Sequence, residues 1–331
     1  MRSLKVIGYF RRLLISFAET RVKFRWGTTM QIRISFCALL LIVVSTRIST
    51  AAFNYSSAGS TYSQDFDSLA SSGVEHAWTN DVTLPGWHLF RVTAGDNSAP
   101  YPMSLYDASN GSAGDGRFYS LGTSADRALG GVGHGIFGYP GDRATNIVVN
   151  TVAGWIAASF TNSTGSALNA FTAMFNGEQW SDAGDNEPPY PQVMGFQYGF
   201  GDSFTTVGTW VSPGASFDFT SPVFTTTNQP IDGNGIGRVA NLGGTISDLT
   251  WDDGETLWLR WVERNDLVFD HAMAIDNFSF TAAATVASAV PESGTATIYG
   301  IICCVIAMTW GRRAVLEFFS GDFFAKRKGV V

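Results

Sequence analysis

The segment Thr256–Glu263 reads TLWLRWVE, and its side chains alternate: Leu257, Leu259 and Trp261 fall on one face, Trp258, Arg260 and Val262 on the other. That is the two-residue period of a strand, not the 3.6-residue period of a helix. The runs IVVNTVAGWIAASF, FTAMFNGEQW, VMGFQYGFG and HAMAIDNFSF are also short, rich in Val, Ile, Phe, Trp and Tyr, and separated by clusters of Gly, Asn, Asp, Ser and Pro. Between residues 53 and 283 no stretch carries a helical apolar stripe, and glycine is abundant where a helix would tolerate it poorly. Short strands at this spacing, without an internal repeat, predict an all-β fold over residues 53–283. The expected form is a two-sheet antiparallel β-sandwich of jelly-roll type, not a propeller or solenoid.

Charge divides the chain into three regions. Residues 1–52 hold nine Lys or Arg against one Glu, whereas residues 53–290 hold seven Arg, no Lys and 24 Asp or Glu, a net −17. Residues 291–331 return to +2. Basic, apolar ends around an acidic middle suggest targeting segments that flank a cargo domain. A domain at −17 does not bind nucleic acid by neutralising phosphates. Cys37, Cys303 and Cys304 all lie in the terminal apolar segments, so the domain has neither a disulfide nor a thiolate metal site.

At the amino end, MQIRISFCALLLIVVSTRIST has a basic flank, an apolar run from Phe36 to Val44 and small residues before Phe53. Residues 30–52 therefore read as a signal peptide, with a run too short to span a bilayer. Met30 opens a complete signal, so residues 1–29 are expected to be an extension ahead of the true start. At the other end, residues 284–292 form a linker closing on Pro291 and Glu292, residues 293–313 a transmembrane segment stopped by Arg312 and Arg313, and residues 314–331 a basic tail.

This Pro-Glu pair, apolar stretch and basic cluster resemble the PEP-CTERM sorting signal of Gram-negative bacteria. The resemblance implies export through the secretion machinery, cleavage by an exosortase-like protease at the inner membrane, and association with exopolysaccharide in the cell envelope or extracellular matrix. Ser293 stands where that family usually has Pro, and the chain runs on past Arg313 where the family normally stops. Within the domain, LPGWHLFR, DRALGG, TNSTGSALNAFTAMFNGEQW, TLWLRWVERND and DHAMAIDNFSF occur in the order of an extracellular β-sandwich module of secreted bacterial proteins with no established activity. AIDNFSF is similar to the last strand of concanavalin-like and MAM-like jelly rolls. The resemblance implies pairing with the first strand, here YSQDFDSL. Ser181 replaces the Arg expected after GEQW.

Few motifs carry chemistry. GHGIFG at 133–138 does not open a helix inside a strand-helix-strand unit and reads as a turn. Glu178 is the one acid bracketed by strand-like aromatic sequence. It is either a buried carboxylate paired with Arg127 or Arg260, or the acid of a glycoside hydrolase or lyase acting with an Asp. Calcium suits the hard oxygen ligands better. Candidate ligands are Asp232 and Asn234 in IDGNG, Asp182, Asp185 and Glu187 in SDAGDNEPPYP, Asp270, and above all Asp276 with Asp65 and Asp67 from the first strand. Trp78, Trp87, Trp155, Trp180 and Trp210 supply rings that could stack on a sugar. The expectation is a non-catalytic exported module that binds polysaccharide and calcium.

Overall fold

A computed structural model describes residues 52–284 apart from 94–95, 113 and 185–186, all within the compact unit Ile48–Val331. The residues expected to form the signal peptide (apart from Ala52), the 285–292 part of the expected linker, the expected membrane segment and the basic tail lie outside the described residues. The alternating runs become strands β1 (Phe53–Tyr55), β2 (Thr61–Gln64), β3 (His76–Ala77), β4 (Trp87–Thr93), β5 (Asp96–Pro102), β6 (Leu105–Ser109), β7 (Arg117–Leu121), β8 (Ala128–Val132) and β9 (Ile136–Tyr139). They continue as β10 (Asp142–Thr145), β11 (Thr151–Asn162), β12 (Ala170–Asp182), β13 (Val193–Phe200), β14 (Phe219–Thr220), β15 (Gln229–Pro230), β16 (Arg238–Ile246), β17 (Thr256–Asn265) and β18 (Ala272–Ala283). The described residues contain no α-helix, only a 3-10 turn at Phe204–Thr206, and no helix long and apolar enough to cross a membrane. GHGIFG leads into β9 and is not a nucleotide loop.

One sheet has the order β14-β13-β17-β11-β4-β5, with β1 against β11. A second has the order β15-β12-β18-β8-β7-β6-β3, with β16 against β12 and β2 against β18, and β9 and β10 make a separate two-stranded ribbon. The two larger sheets form a β-sandwich. Pairing is mixed rather than wholly antiparallel, because β1 runs parallel to β11 and β6 parallel to β7.

Alternation decides what lies between the sheets. Leu257, Leu259 and Trp261 point inward from β17, joined by Ile156 from β11, Leu89 from β4 and Phe196 from β13. Phe171, Ala173 and Phe175 from β12 and Met273, Ile275, Phe278 and Phe280 from β18 answer from the other sheet. Rings meet across the gap: Phe160 stacks on Phe280 at 4.1 Å, and Phe278 stands edge-on to Trp87 at 5.3 Å and to Trp261 at 5.6 Å. Each such ring is worth roughly 1.5–3 kcal/mol by burial, so a core this aromatic holds without crosslinks.

Strand β18 keeps this face only by breaking its own rhythm. Met174 pairs with Ser279 but Asn176 with Asp276, so β12 advances two residues while β18 advances three. Asn277, exposed and at φ 50°, is the extra residue of a β-bulge. The bulge lets Ile275 and Phe278 both face the core and turns Asp276 to the outer side.

Strand β2, which holds the YSQ of YSQDFDSL, lies beside β18, Thr61 opposite Thr281 and Gln64 opposite Phe278, but it is the second strand and not the first: β1 precedes it and pairs with β11. Tyr55 locks this corner: its hydroxyl accepts from Ala282 N at 2.9 Å and has Ser60 O at 2.7 Å and Ala282 O at 2.9 Å as acceptors for its one proton.

Phe278→Ala is expected to cost about 3–5 kcal/mol, read as a lower urea midpoint at unchanged slope. Val74→Ala, at a position 68% exposed, should stay within about 0.5 kcal/mol. Equal effects would contradict this packing.

Candidate functional site

Because Trp261 and Leu259 point inward, Trp258 and Arg260 must stand on the outer face of the seven-stranded sheet. Cross-strand register sets His88 and Phe90 from β4, and Trp155, Ala157 and Ser159 from β11, on that same face. The segment after β13 folds back over it. Its 3-10 turn lays Phe204, 5% exposed, flat on Phe90 at 4.2 Å and edge-on to Trp155 at 5.7 Å and Trp258 at 5.8 Å.

Phe204 thus divides the face into two depressions. The first, about 660 Å³, is lined by Trp78, Asn80, His88, Met103 and Trp258 among others. His88 bonds Ser159 Oγ at 2.9 Å, and burial pushes it down to about 4, so the ring is neutral at ordinary pH. The second depression, about 550 Å³, is lined by Trp155, Trp210, Arg260 and Arg264 with several small residues. The Arg260 guanidinium sits 3.8 Å from the centroid of the half-buried Trp210 ring, a cation–π stack. Its Nε and Nη2 both donate to Gln197 Oε1, the former at 2.8 Å.

Five tryptophans were expected as sugar platforms, and burial separates them. Trp87 and Trp180 are 0% exposed, and Trp78 and Trp155 are 2% and 4%. Trp87 and Trp180 pack in the interior, Trp78 and Trp155 border the groove, and Trp210 alone among the five is half-exposed.

The outer face of the other sheet carries a different group. Glu178 and Asp276 are each 1% exposed. Glu178 Oε2 accepts from Trp180 Nε1 at 3.1 Å and Asp276 Oδ2 from Asn277 Nδ2 at 2.6 Å, leaving Glu178 Oε1 and Asp276 Oδ1 without partners. Burial, and then the Asp276 charge, raise Glu178 to about 8. Burial raises Asp276 to about 7, with Asp126, Asp67 and Asp65 adding repulsion.

Neither arginine expected to pair with Glu178 does so. Arg127 donates to Ser120 Oγ and to the carbonyls of Gly122, Ser109 and Ser120, and Arg260 lies on the opposite sheet. Glu178, so deeply buried, borders neither depression.

Of the calcium candidates, Asp65 and Asp67 lie near enough to Asp276 for their charges to act on it, while the others belong to separate turns. Asp65 Oδ1 accepts from Asp67 N, and Asp67 Oδ1 from Arg127 N, as turn acids do. Asp232 Oδ1 accepts from Asn234 N and its carbonyl from Gly235 and Gly237, forming a local turn. That turn lays Gly233 on Trp180, where a Cβ would come within 2.3 Å of the ring. Asp182 is buried against His271 and accepts from Thr225, and Asp185 lies outside the described residues. Burial raises Asp270 to about 8. Among the described residues no three His, Cys, Asp or Glu are placed to hold a metal ion.

No family model matches the chain, and neither a curated protein nor a solved structure does. Its function must be argued from these two faces.

The buried acids give a pH dependence with a definite sign. Glu178, Asp276 and Asp270 keep a proton when folded that they lose when unfolded, so stability falls as pH rises from their unfolded values near 4 toward 7–8. His88 and His271, held neutral by burial, act oppositely but only below about 6.5. Melting temperature is therefore expected to fall between about pH 6.5 and 8, each acid contributing a slope of up to about 1.4 kcal/mol per pH unit. Glu178→Gln should raise the melting temperature at pH 8 and flatten the profile. An unchanged profile would place Glu178 in solvent.

Proposed function

We propose that this chain is an exported cell-envelope or extracellular-matrix protein whose jelly-roll sandwich binds polysaccharide, without catalysis, in the groove over the seven-stranded sheet. The observation that carries the binding is that groove, floored by Trp258, Trp155 and Phe90, spanned by Phe204 and edged by the half-exposed Trp210. Flat apolar rings beside a few fixed polar groups suit the C–H faces and hydroxyls of sugars. Export rests on the signal-like residues 30–52. Sorting rests on Pro291, Glu292 and the basic stop at Arg312 and Arg313, which point to an exosortase-like protease and at least transient inner-membrane anchoring. A hydrolase would need Glu178 to reach substrate, and its burial speaks against that.

Two measurements test the reading. The full chain in mild detergent, run in affinity gels over a polysaccharide panel, should be retarded without releasing product. Trp210→Ala should weaken retention roughly tenfold, as loss of a central aromatic contact does. Product release that Glu178→Gln abolishes would establish the hydrolase instead. Intact mass of protein from the native envelope should show an end near Pro291 and Glu292. A species still ending at Val331 would reject sorting.

A further inference from the structure

We infer that the depression beneath Trp210 is an anion subsite, and that the polysaccharide it takes carries an oxyanion, a carboxylate or sulfate, on its sugar residues. This inference rests on the polysaccharide reading and narrows it to one chemical class.

The argument begins with scarcity. Residues 53–290 contain seven Arg and no Lys against 24 acids, yet Arg260 and Arg264 line one depression that no acid borders. Three of the other five arginines have evident occupations, and Arg143 and Arg238 are exposed. Arg91 pairs with Asp142, Arg117 with Asp107 and Asp115, and Arg127 is spent on main-chain carbonyls and Ser120. Arg260 has no carboxylate. Its protein acceptor is the neutral Gln197 Oε1, and that amide is itself held by a bond from Nε2 to Ser212 Oγ at 3.2 Å.

Burial with no neighbouring negative charge pulls Arg260 down to about 10, so the group stays charged at neutral pH while partly desolvated. A structural arginine is ordinarily compensated by an acid. Here the compensation is left to Trp210, whose ring covers one face of the guanidinium, while Arg264 stands exposed at the rim. Trp155 lines the same depression. Trp155 Nε1–H is buried without a partner, and unmet donors of this kind usually have one. Two guanidinium forks among neutral residues, with no carboxylate in the lining, match an oxyanion on a flat ring.

The domain's net −17 does not cancel this. At physiological salt the screening length is about 8 Å, so a group inside the depression feels the two arginines more than distant acids, and Asp266, whose charge Arg264 meets, lies outside this lining.

Affinity gels with alginate, dextran sulfate and neutral dextran, run with the full chain and a chelator present to remove calcium bridging, test the subsite. Alginate or dextran sulfate should retard the chain at least tenfold more than dextran, and the stronger of the two identifies the oxyanion. Arg260→Gln should lose at least tenfold in that retention and Arg264→Gln a smaller part, while Arg260→Lys, which keeps the charge but not the fork, should fall between. Should Arg260→Gln melt early, Arg264→Gln at the exposed rim still reports on the subsite. Equal retention by dextran, or anionic retention that neither substitution lowers, overturns the anion subsite while leaving polysaccharide binding intact. Retention by none of the three overturns both.

Discussion

Trp261 is the contact on which both outer faces depend. Fully buried on β17, it stands edge-on to Phe175 at 5.4 Å and Phe278 at 5.6 Å, packs against Phe196 at 5.3 Å and stacks on Trp87 at 5.7 Å. Its own Nε1–H has no partner, a cost of about 1–3 kcal/mol that four ring contacts outweigh. With Trp261 inward, strand geometry leaves Arg260 no place but the outer face. On the facing strand, Phe278 and Ile275 can both reach this core only through the bulge at Asn277, and that same bulge turns Asp276 outward. Aromatic packing inside therefore dictates where the unusual charges sit outside.

Those charges are opposite and cannot meet. Arg260 faces out from one sheet and Glu178 with Asp276 from the other, separated by stacked sheets about 10 Å apart. Each face resolves its own imbalance differently. Burial pushes the acids toward holding protons at neutral pH, whereas the guanidinium holds its charge against an indole. A carboxylate relieved by protonation has no need of a ligand. An arginine, which cannot deprotonate at neutral pH, has no such exit.

Much of this was legible in the sequence. Period two in TLWLRWVE separated the two faces of β17 without saying which is inner, and the resemblance carried by AIDNFSF pointed to a pairing with YSQDFDSL that β2 makes, although β2 is the second strand. The bulge was visible in the same seven residues, since Ile275 and Phe278 are three apart where strict alternation demands two, but only the structure shows that both are core. The groove was not legible. Its roof, Phe204, and its rim, Trp210, come from a connection that folds back across strands far away in sequence, and nothing local distinguishes Trp210 from the buried Trp180. Glu178 stood in the sequence between a buried structural carboxylate and a hydrolase acid; it is buried, yet its expected partners failed for topological reasons: Arg260 belongs to the other sheet, and the Arg127 side chain is absorbed by carbonyls near its own turn. The calcium candidates share acidity and glycine-rich turns, features that solvated loops have equally.

The placement of β18 has a mechanical consequence. It leads directly to residue 284 and is flanked by β12 on one edge and by β8 and then β2 on the other. A pull applied at that end runs along the strand axis, so the ladder bonds on both edges are loaded in shear together rather than peeled one after another. The Tyr55 hydroxyl, which accepts from the N–H of Ala282, clamps the point where such a force would enter. The sandwich is thus built to resist tension delivered through its carboxy-terminal strand.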